Sequence, residues 1–284
     1  MLMILKRILF SFSFFLLFSC QNFGQLKMLG DLPNTLKEVS GNEFLPQTKA
    51  FWVLEDGGNS SKIYQLSTKG KVTRVLDIKK KNNDWEDLTS DNEGNLYIGD
   101  FGNNNNERKN LKILKVAAKD TSAKEATVIE FEFEYENQDK FPPKKKFRFF
   151  DAESFFYFNN HFYVFTKSRV NKAYGKTWLY KIPAIKGKHK AQLIGYYNNC
   201  DDEDCWITSA DISSDGKTVV LLSQKNVLLF SDFKNDDFLS GKVKKIPLEH
   251  RSQKEGVCFK DVNTLLITDE RSGGTGGNIY ELKI

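Results

Sequence analysis

Five acidic residues stand at matching places in a repeated pattern, and their carboxylates are side chains suited to holding a hard cation. In each repeat, the acid precedes an apolar stretch, a tight polar turn and a second β-rich run, as in Trp85-Glu86-Asp87-Leu88. The five are Glu38, Glu86, Glu153, Asp211 and Glu255. Oxygen ligands of this kind suit Ca²⁺ better than zinc, so the pattern indicates a calcium site if the fold brings these side chains together.

A second set of polar residues follows the acids at a constant distance and forms our candidate ligand-binding set. Fourteen residues after four of the acids lie Asp100, Lys167, Lys225 and Asp269. The first repeat has a longer turn, and there the corresponding residues are Glu55 and Asp56; Glu270, next to Asp269, completes the set.

The elements that must position these residues are short strands. Each repeat contains about four β-rich runs, and repeats follow one another at about 45 to 65 residues, a pattern typical of propeller blades. We predict an all-β, five-bladed β-propeller. The last unit shows only three runs, and we expect the segment Gln25–Leu29 to supply its missing strand. Six blades is the alternative, because the gap between Glu86 and Glu153 is long enough to contain an extra half-blade.

In a blade built as an antiparallel meander, the start of the first strand and the end of the second lie on one face. We therefore expect the five acids to form a ring around one mouth of the central channel, with the second set around them. Two charges about 4 Å apart interact by roughly 4 kcal/mol at an effective dielectric near 20. A bound cation, raised pKa values or wide separation in water would relieve this repulsion. Alternatively, each acid accepts backbone N–H groups from the adjacent blade and only fixes blade packing.

Evidence for a catalytic constellation is sparse. His250 is the one histidine expected on this face, and we retain it as a weak candidate for a catalytic base. The sequence contains no Gly-x-Ser-x-Gly elbow, no His-Glu-x-x-His pair and no phosphate-binding loop.

The N-terminus resembles a bacterial export signal. Lys6 and Arg7 precede an apolar stretch of 11 residues, Ile8 to Phe18, which is too short to span a bilayer as a helix. Leu17-Phe18-Ser19-Cys20 resembles a lipobox, whose cysteine becomes the acylated first residue; the alternative is an ordinary signal peptide with a chance cysteine. We expect a signal peptide at 1–19, a lipidated tether at 20–24 and the propeller at 25–284. The protein would then be anchored in the lipid bilayer through Cys20, at the outer membrane and facing the periplasm.

Cysteine usage fits an oxidising compartment. Cys200 and Cys205 flank an acidic loop, and we predict a disulfide between them. Half of a zinc site is the alternative, but the chain has no second cysteine or histidine pair at metal-site spacing.

Composition excludes other classes of protein. The chain has 284 residues, 40% of them hydrophobic, and a mean hydropathy of −0.48, which is typical of a globular domain and excludes a disordered or polytopic membrane protein. The net charge of +5 falls to 40 − 37 = +3 without Lys6 and Arg7. Such a small excess gives no support for nucleic-acid binding.

The short motifs resemble those of a known group. Glu-Val-Ser-Gly, Trp-Glu-Asp-Leu, Asp-Ala-Glu-Ser and Lys-Glu-Gly-Val, with Ile-Thr-Asp-Glu-Arg near the end, are similar to the SdiA-regulated propeller family over residues 36–284. More distantly, they are similar to phytase-like and lactonase-type calcium propellers. The resemblance implies a propeller with a calcium ion at the positions of the five acids. It assigns no reaction, and the chain lacks the histidine pair of the lactonases.

Two functions follow as hypotheses. The first is a membrane-anchored module that binds a small molecule, a glycan or a partner protein at the acidic mouth. The alternative is a Ca²⁺-dependent hydrolase of esters, lactones or phosphoesters that uses the same site.

Overall fold

The computed structural model describes residues 22–284, so the proposed signal peptide and Cys20 lie outside the described residues. Between residues 22 and 284 the chain has no α-helix. Its helices there are single 3₁₀ turns at Ala118–Asp120, Lys145–Phe147, Glu203–Cys205 and Phe238–Ser240. None of the helices in this part of the chain is long and apolar enough to cross a bilayer.

The strands form antiparallel meanders that follow the repeats of the sequence. The N-terminal strand is β1 (Lys27–Asp31). Unit 1 contains β2 (Val39–Leu45), β3 (Ala50–Glu55), β4 (Lys62–Leu66) and β5 (Val72–Ile78). Unit 2 contains β6 (Trp85–Ser90), β7 (Leu96–Asp100), β8 (Leu111–Val116) and β10 (Ile129–Tyr135), with the short β9 (Glu125–Ala126) added to the edge of unit 1.

The remaining units have the same order. Unit 3 contains β11 (Asp151–Phe158), β12 (His161–Lys167), β13 (Lys176–Pro183) and β14 (Gly187–Asn198). Unit 4 contains β15 (Ser209–Ile212), β16 (Thr218–Leu222), β17 (Asn226–Ser231) and β18 (Lys242–Pro247). Unit 5 contains β19 (Lys254–Asp261), β20 (Thr264–Asp269) and β23 (Asn278–Lys283), with the hairpin β21 (Arg271–Ser272) and β22 (Thr275–Gly276) in one connection.

The first strands of the units pack side by side in a closed ring. β2 neighbours β6, β6 neighbours β11, and the order continues through β15 and β19 back to β2. β1 pairs with β23, so the N-terminal segment supplies the fourth strand of unit 5. The all-β propeller prediction is confirmed.

Apolar residues on alternate strand positions fill the space between neighbouring units. In β10, Phe131, Phe133 and Tyr135 are buried, whereas Ile129 and Glu132 are exposed. Phe101 of unit 2 meets Phe155 of unit 3 edge to face, with ring centroids 5.2 Å apart, which is a favourable aromatic geometry. The outer strands β10 and β14 also pair in parallel, so the exposed edges of units 2 and 3 protect each other.

The inner strands are connected across the channel by Asp87 of β6. Its carboxylate accepts the backbone N–H of Phe155 in unit 3 at 3.3 Å and the hydroxyl of Ser209 in unit 4 at 3.2 Å. Ser209 Oγ in turn accepts the N–H of Val257 in unit 5 at 3.0 Å. Asp87 is 0% exposed, and burial raises its pKa well above the usual range. One side chain therefore links three units at the hub.

Replacing Asp87 by alanine leaves the Phe155 N–H and the Ser209 hydroxyl buried without their acceptor. We expect Asp87→Ala to lower the free energy of unfolding by about 3 kcal/mol, since each unsatisfied buried donor costs about 1–3 kcal/mol. Urea unfolding measures this. The control is Asp77→Ala, which removes a half-exposed ion pair with Lys62 at 3.5 Å and should change stability by less than about 1 kcal/mol. Equal losses in both variants would contradict the role of Asp87.

Candidate functional site

The channel has two mouths. The loop-side mouth is the end where the connections after the second strands emerge, and Asp56, Asp84 and Glu86 lie there. The turn-side mouth is the end where the turns between first and second strands lie, and it is lined by Glu43 and Asp211. The five acids predicted to form one ring are thus divided: Glu86 lies at the loop-side mouth and Asp211 at the turn-side mouth.

Three of the five acids are bulged residues at the loop-side ends of their strands. Glu86, Glu153 and Glu255 are each the extra residue where the register between first and second strand shifts. β15 pairs with β16 without such a shift. Asp211 is the third residue of β15 and pairs with Val220 in the middle of β16, where it accepts the N–H groups of Ile212 and Phe259, both at 2.7 Å. The expectation that Asp211 shares a mouth with the other acids is wrong.

Glu38 also departs from the expected ring. In unit 1 the bulged residue is Ser40, and Glu38 precedes β2. The Glu38 side chain is exposed and accepts a hydrogen bond from Asn59 Nδ2 at 2.7 Å. It lies on the loop side but belongs to the rim and not to the channel.

Three carboxylates converge at the loop-side mouth: Asp56, Asp84 and Glu86 each offer an oxygen atom, and these atoms lie within 4.8 Å of one another. We call this group the acidic triad. Asn82 positions it, because its Nδ2 donates to the carbonyl of Asp56 at 2.9 Å and its Oδ1 accepts the N–H of Trp85 at 2.9 Å. One amide side chain thus fixes the end of β3 against the start of β6.

Two glycines make room for the acidic triad. A Cβ atom at Gly102 would overlap Glu86 Oε1 and Asp84 Oδ2, and one at Gly57 would overlap Asp84 Oδ1. Gly57 also donates its backbone N–H to the Asp56 carboxylate. Any larger residue at either position would push the carboxylates apart, so the glycines shape a cradle around the oxygen atoms.

Glu86 is the exceptional member of the triad. Its side chain is buried, with 5% of the residue exposed, yet no hydrogen bond or ion pair to it is present within residues 22–284. Its pKa is raised well above the usual range by burial first, and then by Glu153 and Asp56. Burial likewise raises the pKa of Asp56 to about 7 and raises that of Asp84.

The nearby cations are already engaged by other carboxylates. Lys167 Nζ lies 3.0 Å from Glu153 Oε2, and Arg169 Nε lies 2.6 Å from Asp151 Oδ2. Burial lowers the pKa of Lys167, but Glu153 and Glu255 outweigh it and leave the pKa raised. These two cations balance Glu153 and Asp151 and leave the triad largely uncompensated.

Arg108 is the basic side chain that approaches the triad itself. Its Nη1 is 3.9 Å from Asp84 Oδ2, while its Nη2 is 2.9 Å from Asp100 Oδ1. The shorter contact is with Asp100, so Arg108 neutralises Asp84 only in part.

Two further carboxylic groups lie on the same face with pKa values near neutrality. Burial, followed by repulsion from Glu255 and Asp56, raises the pKa of Glu270 to about 8. Burial raises the pKa of Glu255 to about 7, although Lys167 acts in the opposite direction. Of the predicted binding residues, Asp56, Lys167 and Glu270 therefore lie at the loop-side mouth.

The other predicted binding residues have structural partners. Asp100 is buried and bound by Arg108 and by Asn83 Nδ2 at 2.7 Å. Asp269 accepts the Asn278 N–H at 2.7 Å and the Tyr280 hydroxyl at 2.8 Å. Their side chains therefore stabilise the ends of second strands.

Glu55 and Lys225 are engaged in a similar way. Glu55 is buried and accepts the Lys37 N–H at 3.2 Å. Lys225 is exposed, and its Nζ forms a surface ion pair with Asp202 Oδ2 at 2.9 Å. Neither contributes to the acidic triad.

His250, the weak catalytic candidate, is packed among aromatic rings. Its ring centroid lies 5.1 Å from that of Phe23 and 5.6 Å from that of Tyr280. Burial, and then Lys254, lowers its pKa, and its Nδ1 is buried with no partner in the described part of the chain. These contacts are those of a half-buried histidine with a packing role.

The predicted disulfide between Cys200 and Cys205 is present, so its sulfur atoms are not available to a metal. The residue after it, Trp206, packs against the site: Lys167 Nζ and Arg169 Cζ each lie 5.1 Å from its ring centroid. Trp206 Nε1 donates to the carbonyl of Ser168 at 2.7 Å. The small ring thus helps to hold the cations of the loop-side mouth.

Sequence reasoning missed Asp84, Asp151, Arg108 and Arg169. Asp84 and Asp151 each stand two residues before a bulged acid, in Asp84-Trp85-Glu86 and Asp151-Ala152-Glu153. Recurrence of this Asp-x-Glu pattern in units 2 and 3 was the signal that would have revealed them. The two arginines follow second strands at unrelated distances, and no spacing marks them.

No family model matches the chain, and no curated protein sequence matches it. Among solved structures, the PQQ-bound aldose sugar dehydrogenase of Streptomyces coelicolor has a TM-score of 0.52 at 9% identity, covering 92% of this chain and 98% of that one. A gluconolactonase of Xanthomonas campestris has a TM-score of 0.49 at 12% identity, with coverage of 92% and 89%. A nidogen/laminin complex chain has 0.47 at 11%, with coverage of 86% and 84%. At 9% identity, the similarity to the sugar dehydrogenase shows the fold alone.

The raised pKa values predict that the cation-free protein loses stability as pH rises. The carboxyl groups of Asp56 and Glu255 have folded pKa values of about 7, and that of Glu270 is about 8; their unfolded values are about 4. The folded state then binds more protons than the unfolded state between about pH 4 and 8, so unfolding free energy falls across this window.

Urea unfolding in chelator at about pH 5 and about pH 8 tests this pH dependence. Glu86→Gln should flatten the decline, because it removes one of the buried charges, whereas Glu132→Gln, an exposed substitution on β10, should not. Burial lowers the pKa of His250 and that of Lys254, the latter to about 8; these two groups act in the opposite direction but are fewer than the carboxyl groups with raised pKa values. Stability that rises steadily from pH 5 to 8 would contradict the electrostatic description of this mouth.

Proposed function

We propose that this chain is a cation-dependent binding module in which the acidic triad holds a divalent cation, Ca²⁺, at the loop-side mouth. The observation that carries the proposal is Glu86, a buried carboxylate that lacks a donor and faces the oxygens of Asp56 and Asp84. Burying an uncompensated carboxylate is costly unless it is protonated or coordinates a metal. A cation would satisfy all three side chains together.

The donor set supports a hard cation. All three ligands are carboxylate oxygens, which Ca²⁺ prefers, and sulfur and imidazole ligands are missing from the triad. Gly57 and Gly102 leave the carboxylates the space to converge. The ligands differ from the predicted ring: Glu86 is shared, Asp56 comes from the second set, and Asp84 is new.

The cation would supply positive charge for an oxygen-bearing ligand. Ca²⁺ takes six to eight oxygen ligands, so three carboxylates leave positions for carboxylate or hydroxyl groups of a small molecule or glycan. Around it, Lys167 and Arg169 are held in place by Glu153, Asp151 and the Trp206 ring. These contacts hold positive charge beside the mouth.

Calcium titration tests this assignment directly. We expect Ca²⁺ to bind and to raise the free energy of unfolding by about 2.7 kcal/mol at about 100 times the dissociation constant. Glu86→Gln should weaken binding at least about tenfold, while Glu132→Gln should bind like the unchanged protein. Isothermal titration and thermal unfolding with Ca²⁺ or chelator provide the two measurements.

Absence of Ca²⁺ binding in a folded protein would remove the proposal. Equal affinity of Glu86→Gln and the unchanged protein would place the ion elsewhere. Because Glu86→Gln removes a buried charge and no hydrogen bond, we expect the variant to fold, and unfolding in chelator confirms this before the titration.

Hydrolysis at the same mouth is the second candidate. The observation favouring it is the pair of carboxylic groups with pKa values near neutrality, about 7 for Glu255 and about 8 for Glu270, a range suited to general acid–base work. Turnover of esters, lactones or phosphoesters that needs Ca²⁺ and is lost in Glu86→Gln would favour a hydrolase. If none of these esters, lactones or phosphoesters is hydrolysed, the binding function remains the proposal.

We also propose that the protein is exported and anchored in the bacterial outer membrane through acylated Cys20, facing the periplasm. The motif Leu17-Phe18-Ser19-Cys20 and the basic and apolar residues before it support this. The Cys200–Cys205 disulfide supports an oxidising compartment. None of these features depends on the acidic triad.

Metabolic labelling with a fatty acid in a bacterial host tests the anchor. The unchanged protein should incorporate label and sediment with membranes, whereas Cys20→Ser should do neither. Cys258→Ser is the control for a free cysteine, since Cys258 is buried in the propeller, and it should retain both properties. Unlabelled protein in the soluble fraction would contradict anchoring.

A further inference from the structure

The turn-side mouth opens into a cavity that the proposed function does not use. Its volume is about 480 Å³, within the range of small-molecule sites. The inner strands contribute Glu43 of unit 1 and Asp211 of unit 4, which reach it from non-neighbouring units. A ligand here would therefore contact several units at once.

The ionisable side chains that line this cavity are mostly acidic. Its carboxylates are Glu43, Asp91, Asp211 and Asp261, and the one basic side chain among its lining residues is Lys260. The Lys260 ammonium group lies 2.8 Å from Glu281 Oε2, so its charge is already balanced outside the cavity. Lys115 Nζ lies 3.9 Å from Asp91 Oδ2, so Glu43, Asp211 and Asp261 are the lining carboxylates without an ion pair in the described part of the chain.

Glu43 is an incompletely satisfied buried acid. It is 6% exposed, its Oε1 accepts the Ser90 hydroxyl at 2.6 Å, and its Oε2 has no donor within residues 22–284. Burial first, and then repulsion from Asp211, raises its pKa well above the usual range. A ligand with a positively charged hydrogen-bond donor would supply the missing donor to Oε2 and offset the repulsion between Glu43 and Asp211.

One part of the cavity wall is aromatic, beside polar residues such as Ser90 and Asn159. Phe44, Tyr157, Phe158 and Phe259 line it together with the carboxylates. The Tyr157 ring stacks on that of Tyr97, with centroids 5.2 Å apart. Aromatic faces attract organic cations as well as apolar groups, whereas a bare metal ion gains nothing from an apolar wall.

A metal ion is disfavoured here for a second reason. The two carboxylate oxygens of Asp211 already accept backbone N–H groups at 2.7 Å. Asp211 therefore contributes charge more than free coordination positions. An ammonium group needs only acceptors in hydrogen-bond reach, and Glu43 Oε2 supplies one.

We propose that the turn-side cavity binds a small organic ligand with a protonated primary amine, the ammonium group lying against Glu43 and Asp211 and the carbon chain against the aromatic wall. This site is independent of the acidic triad and goes beyond the cation-dependent function of the loop-side mouth. It assigns a role to Asp211 other than that of a calcium ligand.

Matched amines and alcohols test the proposal. Cadaverine is compared with 1,5-pentanediol, and phenethylamine with 2-phenylethanol, each titrated calorimetrically into the purified protein at about pH 8 in chelator, where the amines are protonated. We expect at least one amine to bind with a dissociation constant below about 1 mM and its alcohol to bind at least about tenfold more weakly.

Variants locate the binding. Glu43→Gln should weaken amine binding at least about tenfold, and Asp211→Asn should weaken it as well. Glu86→Gln at the other mouth should leave it unchanged, so failure of the calcium proposal and failure of this one are distinguishable. Urea unfolding establishes that each variant folds; if Asp211→Asn does not, Glu43→Gln alone decides.

Three results would overturn the inference. The first is that neither amine binds to the folded protein. The second is that the alcohols bind as well as the amines. The third is that Glu43→Gln binds the amine as tightly as the unchanged protein does, whatever the effect of Glu86→Gln.

Discussion

The innermost strand of every unit has one edge that no strand covers, and the structure depends on how that edge is satisfied. Asp87 and Ser209 are 0% exposed where the inner strands meet, and unpaired N–H groups buried there need acceptors. Asp87 serves Phe155, Asp211 serves Phe259, and Ser209 serves Val257, in each case across a boundary between units. Acidic side chains in the hub are thus required for ring closure before any ligand is considered.

This requirement separates two kinds of buried acid that have the same appearance in the sequence. An acid that accepts backbone N–H groups, such as Asp211, holds neighbouring units together. An acid buried without donors, such as Glu86, contributes nothing to closure and adds unfavourable charge. The packing explanation considered for all five repeat acids therefore fits Asp211, and the cation explanation fits Glu86. The number of hydrogen-bond donors decides between them, and spacing along the chain does not.

The sequence contained much of the fold and part of the site. Strand-turn-strand repeats predicted the propeller, and the β-like segment before the first repeat predicted that β1 closes unit 5. A constant offset of fourteen residues placed Lys167 near Glu153, with which it forms an ion pair. The same offset failed in unit 4, because Asp211 pairs with Val220 in the middle of β16, whereas Glu86, Glu153 and Glu255 are bulged residues near the ends of their strand pairs. A bulge shifts the positions that follow it by one residue, and no residue type in these strands marks it.

The hub also determines that the two mouths act as separate chambers. Asp87 and Ser209 belong to non-neighbouring units, so their hydrogen bond at 3.2 Å spans the channel at its middle. This contact lies between the acidic triad and the turn-side cavity. The chambers still share an electrostatic environment, since Asp87 contributes to the raised pKa of Glu43. Asp87 therefore both links the inner strands and raises the pKa of Glu43 in the turn-side cavity.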